Sequence, residues 1–198
     1  MLKHRATREA VLINLGGGMI TDLGGFAAAT YMRGIRFVNI PTTLLAMVDA
    51  SSGGKTGIDY NGIKNGIGTF TQPLATLIHP NFLRTLPATE LLSGFAEMLK
   101  HALIASPEEW IRLLQLAQEE LPQAQFVAAL SERGLLHNSI AIKEQVVAQD
   151  PREAGMRKIL NFGHTIGHAI ESAALENSIQ HSTFNIQHSP SHGYCVLW

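Results

Sequence analysis

Cysteine is almost absent: Cys195 stands alone among 198 residues, which excludes an internal disulfide and suits a reducing compartment. Charge is sparse and balanced. Fifteen Lys and Arg against 16 Asp and Glu leave a formal net charge of -1, so no overall field draws the chain toward nucleic acid or an anionic membrane. Any anion it binds must be held by local groups. No uninterrupted apolar run approaches a membrane span, and Met1-Leu2-Lys3-His4-Arg5 lacks the apolar stretch of a secretory signal. The expectation is a soluble, cytoplasmic protein without nucleic-acid or membrane partners. Internal repeats are missing too. What is present is globular in composition, with 45% hydrophobic residues, enough for a substantial core.

Glycine is unevenly placed: 12 of the 18 fall between Gly16 and Gly68, which suggests two regions of different architecture. In the first, residues 10–15 read as a buried strand running into Gly16-Gly17-Gly18. An Ala-rich helix from about Thr21 to Tyr31 and a second strand over residues 36–40, closed by Pro41, follow. Strand, glycine turn, helix and strand make a βαβ unit and imply a parallel sheet. Residues 75–78 offer a further strand. After Pro87 the period becomes helical, with Leu91, Leu92, Phe95, Met98, Leu99 and Ala102 on one broad stripe. Further helices are expected over residues 108–117, 124–136, 139–148 and 157–174, with a break at Asp150-Pro151. The expected fold is thus α/β plus all-α: a partial Rossmann-like parallel-sheet domain over 1–86, then a helical domain over 87–198. The tail from Asn177 onward has no clear period.

Gly16-Gly17-Gly18, between a strand and a helix, allows close backbone approach to a pyrophosphate favoured by the helix N-terminus. A plain tight turn explains the same glycines, since Thr21 stands where the last glycine of the dinucleotide fingerprint would be. Asp22 is suited either to a ribose hydroxyl or to the helix dipole. Gly54-Lys55-Thr56 lacks the earlier spaced glycine of a P-loop, which argues against a nucleoside triphosphatase. What remains there is a glycine-rich loop presenting Lys55 and then Lys64-Asn65, cations suited to anionic groups. Glu97 and Lys100 share a helix face, and a surface ion pair is the ordinary reading. His164 and His168 lie one helical turn apart, with Asn161 on the same side. Two metal ligands, one ligand with one hydrogen-bonding histidine, or no functional role all fit that spacing.

Several segments taken together resemble the 3-dehydroquinate synthase family in order and approximate spacing. They are Gly16 to Phe26, Arg33-Gly34, Pro41 to Leu45, Asp49 to Lys55, Lys64-Asn65, Gly94 to Lys100 and Asn161 to His168. The resemblance runs from about Val11 to Glu171. It implies an NAD-binding α/β domain, a helical metal- and substrate-binding domain, and an active site between them. It also places residue 1 inside the nucleotide-binding domain and the last residue short of further helices. Gly18, Met19, Ile20, Thr21, Asp22, Thr42, Thr43, Phe82, Leu83, Arg84 and Thr85 would contact NAD, with Lys55 and Lys64 near cofactor and substrate. Glu97, His164 and His192 would bind zinc or cobalt, with His181 and His188 as alternatives to His192. Lys55, Lys143 and Arg157 would hold the substrate carboxylate; Asn65, Lys100, Asn161 and His168 the phosphate; Asp49 and Glu153 the hydroxyls.

By the same resemblance Arg33 would reach a neighbouring subunit, the parent would be a homodimer, and the substrate would be the sugar phosphate 3-deoxy-D-arabino-heptulosonate 7-phosphate. The chain by itself is expected to be inert. A related sugar-phosphate cyclase, a metal-dependent polyol dehydrogenase and an inactive fragment are the alternatives.

Overall fold

The computed structural model describes residues 1–163 apart from Gly62; His164, His168, His181, His188, His192 and the expected helix beyond residue 163 lie outside the described residues. β1 (Val11–Gly16), α1 (Gly18–Thr30) and β2 (Arg36–Pro41) form the expected βαβ unit, and β1 pairs with β2 in parallel from Val11↔Arg36 to Gly16↔Pro41. The short strand β5 (Ala75–Thr76) adds to β2, also in parallel, so the sheet order is β1-β2-β5 and β1 is an edge. α1 covers one face, where Ala28, Ile35 and Phe37 make a small core with Leu12 and Tyr31. Among the described residues nothing covers the other face: Val11, Ile13 and Leu15 are 42%, 61% and 57% exposed. α1 starts earlier than its periodicity suggests, because Gly17 serves as its N-cap.

The glycine-rich stretch after residue 50 is not an open loop. β3 (Lys55–Tyr60) and β4 (Ile63–Phe70) form an antiparallel hairpin, with Thr56 and Thr69 hydroxyls 2.7 Å apart. Its first strand packs on α1, and most of β4 faces solvent. A 3-10 turn (Pro80–Thr85) then leads into the helical region.

α2 (Ala88–Ala105) is the axis of that region, flanked by α3 (Pro107–Gln118), α4 (Gln123–Glu132) and α5 (Leu135–Gln149). α3 begins with Pro107 behind a Ser106 cap that accepts from the Glu109 amide, a standard helix start. The two helices expected over 124–136 and 139–148 are α4 and α5, but the chain breaks at Gly134 rather than after Leu136. Gly134, at φ 72, turns the chain between them, a conformation that other residues adopt only with strain. The main core joins Leu44, Met47, Val48 and Leu83 to Leu91, Phe95, Met98, Leu113, Leu116, Leu130 and Leu135. At its centre α2 meets a π-helical turn (Ala46–Ala50) from the α/β part. Contact is this close because residue 94 is glycine: a Cβ there would stand 2.4 Å from the Leu45 amide nitrogen. Residues 157–161, expected to be helical, form a 3-10 turn (Met156–Asn161) ahead of Gly163 at φ 79.

Candidate active site

The close packing at Gly94 sets Asp49, on the π-helical turn, against the next turn of α2, which carries Glu97, Lys100 and His101. A cleft of about 470 Å³ opens above them. Its walls combine Asp22 from α1, Asp49, Lys55 and Asn65 from the hairpin, Lys100, Lys143 from α5, and Glu153, Arg157 and Asn161 from the segment after α5. Four cationic side chains and three carboxylates thus face one space. These residues span most of the described sequence, so only the tertiary fold assembles them.

Individual contacts fix the arrangement. The Lys143 ammonium donates to the Asp49 carboxylate at 2.6 Å and also to the Asp49 backbone carbonyl. Lys55 pairs with Glu153, which also accepts from the Asn161 amide. Arg157 donates to the Pro151 carbonyl at 2.8 Å and is buried against α5. Lys100 pairs with Glu97, and the two side chains are 2% and 0% exposed. That burial replaces the surface ion pair expected from sequence. Carboxylate and ammonium desolvated together are costly, and stranding either one costs more.

Electrostatics follow from the crowding. Burial would raise the Asp49 carboxyl, but Lys143, Lys100 and His101 outweigh it and hold it well below the usual carboxylate range. Burial, reinforced by the negative charge of Asp49 and opposed by Lys143, pushes Asp22 up to about 6. Burial also lowers Lys55 and Arg157, Lys55 further because Arg157 is near it. His101, buried and close to Lys100, is pushed down to about 4, with Asp49 and Glu97 opposing, so it is neutral at pH 7.

Cation binding fits the residues present. Asp49, Glu97 and His101 each offer a ligand atom, and these atoms lie within 4.8 Å of one another. The buried Nε2 of His101 has no hydrogen-bond partner. Oxygen and imidazole nitrogen donors are a set that zinc and cobalt accept. Of the three ligands expected from sequence, Glu97 faces this cluster, whereas His164 and His192 lie outside the described residues. His101 escaped sequence reasoning, although its place one turn after Glu97 is a readable signal.

A dinucleotide also fits, in part. No side chain caps the N-terminus of α1. A Cβ on Gly17 would come 3.1 Å from Thr43, and one on Gly18 would come 3.0 Å from Ala50, so the turn leaves space that side chains would fill. Thr42 and Thr43 stand beside this turn, the Thr42 amide donating to the Gly16 carbonyl at 2.9 Å. Met19 and Ile20 are exposed there. Thr21 turns inward, its hydroxyl donating to the Gly18 carbonyl at 2.9 Å. The stretch Phe82, Leu83, Arg84 and Thr85 is divided: the Leu83 side chain is fully buried in the helical core and presents no surface to a cofactor. Arg33, exposed in the turn after α1, and Lys64, exposed on β4, do not line the cleft.

Comparison with known proteins gives a consistent answer. The model described as 3-dehydroquinate synthase N-terminal matches residues 1–93, and that described as 3-dehydroquinate synthase C-terminal matches residues 94–184. A curated 3-dehydroquinate synthase of Parabacteroides distasonis is 53% identical over 167 residues, covering 84% of this chain and 46% of that protein. The chain spans about half the length of the curated relatives it matches. Among solved structures, the 2-epi-5-epi-valiolone synthase ValA of Streptomyces hygroscopicus, with NAD+ and Zn2+ bound, aligns with a TM-score of 0.80 at 33% identity. That alignment covers 99% of this chain and 51% of that one. A 2-deoxy-scyllo-inosose synthase shares the fold at a TM-score of 0.77 and 24% identity.

Proposed function

The chain belongs to the 3-dehydroquinate synthase family, and we propose that it carries the central part of an enzyme converting 3-deoxy-D-arabino-heptulosonate 7-phosphate to 3-dehydroquinate and phosphate. The observation that carries this reading is the cleft itself, where Lys55, Lys100, Lys143 and Arg157 converge on a space lined also by Asp22, Asp49 and Glu153. A substrate with an anionic group at each end and hydroxyls between matches that distribution. Lys55, Lys143 and Arg157 bind the carboxylate; Asn65, Lys100 and Asn161, with His168, bind the phosphate. Asp49 and Glu153 accept from the hydroxyls and orient the carbon skeleton. Orientation of this kind is a large part of what a site contributes to an intramolecular closure.

The turn Gly17-Gly18 at α1 would hold NAD, and Glu97 with His164 and His192 would hold a zinc or cobalt ion. When bound, these groups supply a transient hydride acceptor and a Lewis acid for a substrate oxygen. Asp22, pushed up to about 6, borders the same space and can take or return a proton near neutral pH. Lys100, drawn to Glu97, lies between the metal-ligating and phosphate-binding parts, so its ammonium is placed to accompany a departing phosphate. In the parent protein, a homodimer, Arg33 would reach the partner subunit.

The experiment is phosphate release from 3-deoxy-D-arabino-heptulosonate 7-phosphate, with NAD and zinc or cobalt supplied, using the chain extended at both ends to the length of its relatives. Phosphate and 3-dehydroquinate in equal amounts, with no net NADH, are expected. Net NADH formation from a polyol would support a dehydrogenase instead.

A further inference from the structure

We propose that the buried amides of Asn14 and Asn39, with the Thr76 hydroxyl, are positioning groups: they grip the Ser51 carbonyl and so fix the turn that presents Asp49 to the cleft. The inference rests on reading Asp49 as an acceptor of substrate hydroxyls, and it concerns residues that stand behind the cleft and do not line it.

Asn14 on β1, Asn39 on β2 and Thr76 on β5 are register partners, so they form one polar row across the sheet. The two asparagines are each 4% exposed and share a face with Leu12 and Phe37, the face that α1 covers. The Asn14 amide donates to the Asn39 carboxamide oxygen at 2.9 Å, and the Asn39 amide donates to the Ser51 carbonyl at 3.0 Å. The Thr76 hydroxyl donates to the same carbonyl at 3.3 Å. A carbonyl only accepts, so Ser51 fixes which end of Asn39 faces it and, through Asn39, the orientation of Asn14. α1 leaves a seat for the row: a Cβ on Gly24 would stand 1.9 Å from the Asn14 carboxamide oxygen.

Ser51 closes the π-helical turn, its amide donating to the Ala46 carbonyl at 3.0 Å. Such turns are rare and occur mostly at functional sites. This one is held from two sides, by Lys143 of α5 on Asp49 and by the polar row of the sheet on Ser51. Asparagine is depleted in strands, and two buried amides carry a desolvation cost that leucines of similar shape would avoid. What leucines could not supply is a directed bond from the sheet to the residue two places after Asp49. The ordinary alternative is a polar pair that merely joins β1 to β2, with no effect on the turn.

The test is the pair Asn14→Leu and Asn39→Leu in one chain, which removes both amides together and strands neither. In the chain extended at both ends and assayed for phosphate release, kcat should fall about tenfold and KM change less than about twofold, because the groups that bind stay and Asp49 shifts. In an Asp49→Asn background the same pair should change kcat by less than about twofold, since its effect runs through Asp49. Equal losses in both backgrounds, or an unchanged kcat, would overturn the proposal. Hydrogen exchange of the 198-residue chain gives a reading independent of activity. The Ser51 amide should exchange about tenfold faster in the pair variant while the buried amides of α2 keep their rates. No phosphate release from the unsubstituted extended chain would remove the functional reading, and exchange would then decide the role of the row: an unchanged rate at Ser51 overturns it. Should the pair variant not fold, Thr76→Val removes the second donor to the same carbonyl, and unchanged exchange at Ser51 with unchanged kcat there overturns the proposal.

Discussion

The α/β part and the helical part of this chain are built to different degrees of closure. In the helical part, Leu113, Leu116, Leu130 and Leu135 are at most 2% exposed around α2. In the α/β part the sheet and α1 share just the small cluster Ala28, Ile35 and Phe37, and among the described residues nothing covers the other face of the parallel sheet, where Val11, Ile13 and Leu15 are exposed. Parallel sheets are normally covered on both faces, and a strand reading Val-Leu-Ile-Asn-Leu is written for such a setting. The helical part therefore supplies the rigid wall of the cleft, while the sheet awaits a layer that the chain's own described residues do not provide. Lys100 and Lys143 belong to the closed part, and Asp22 and the glycine turn to the open one.

This contrast gives graded expectations. The largest concerns the buried pair at the centre: Glu97→Ala strands the Lys100 ammonium and should cost about 3–5 kcal/mol in denaturant unfolding, with Glu97→Gln costing clearly less. Within the helical core, Leu130→Ala should cost about 2–5 kcal/mol. A loss under about 1 kcal/mol would mean that the core is not closed as described.

A smaller effect is expected from Asp22, whose carboxyl rises from 3.8 to about 6 on folding. The folded chain then binds the extra proton between those values. Its stabilising contribution is complete below 3.8 and is lost as pH rises through about 6. Asp22→Asn should accordingly be more stable than the parent by about 1 kcal/mol near pH 8, a figure discounted for partial exposure. Below pH 3.8 the difference should vanish. A gain independent of pH would show that charge is not the cause. The smallest effect belongs to the bare face: Ile13→Ser in the 198-residue chain should change stability by no more than about 0.5 kcal/mol. In a longer protein that covers this face, the same change should cost more than about 2 kcal/mol.

Sequence made the βαβ unit plain, because an apolar run ending in three glycines and an Ala-rich helix admits few alternatives. The hairpin β3–β4 was hidden: most of its residues face water, and its glycines read as loop. The division between α4 and α5 is legible but falls at Gly134 rather than after Leu136, since apolar periodicity continues across that glycine and only backbone conformation breaks it. Of the site, Asp49, Lys55, Asn65, Lys100, Lys143, Glu153, Arg157 and Asn161 were all named from sequence, and all line one cleft. The burial of Glu97 and Lys100 was missed because an i,i+3 pair looks the same on a surface as in a core. The apolar stripe of Phe95, Met98, Leu99 and Ala102 marks one face of α2, yet every residue from Ser93 to Ala102 is buried, the polar face included. His101 was passed over for the more conspicuous histidines near the end.

The central claim is that the cationic cleft binds the substrate and drives loss of its phosphate. Lys143→Met tests it most directly, in the chain extended at both ends and assayed for phosphate release with NAD and zinc present. The ammonium of Lys143 is buried, holds Asp49 at 2.6 Å and faces the cleft. Its loss should lower kcat/KM by at least about a hundredfold, equivalent to about 2.7 kcal/mol of transition-state stabilisation. Phosphate release at the unsubstituted rate would contradict the account.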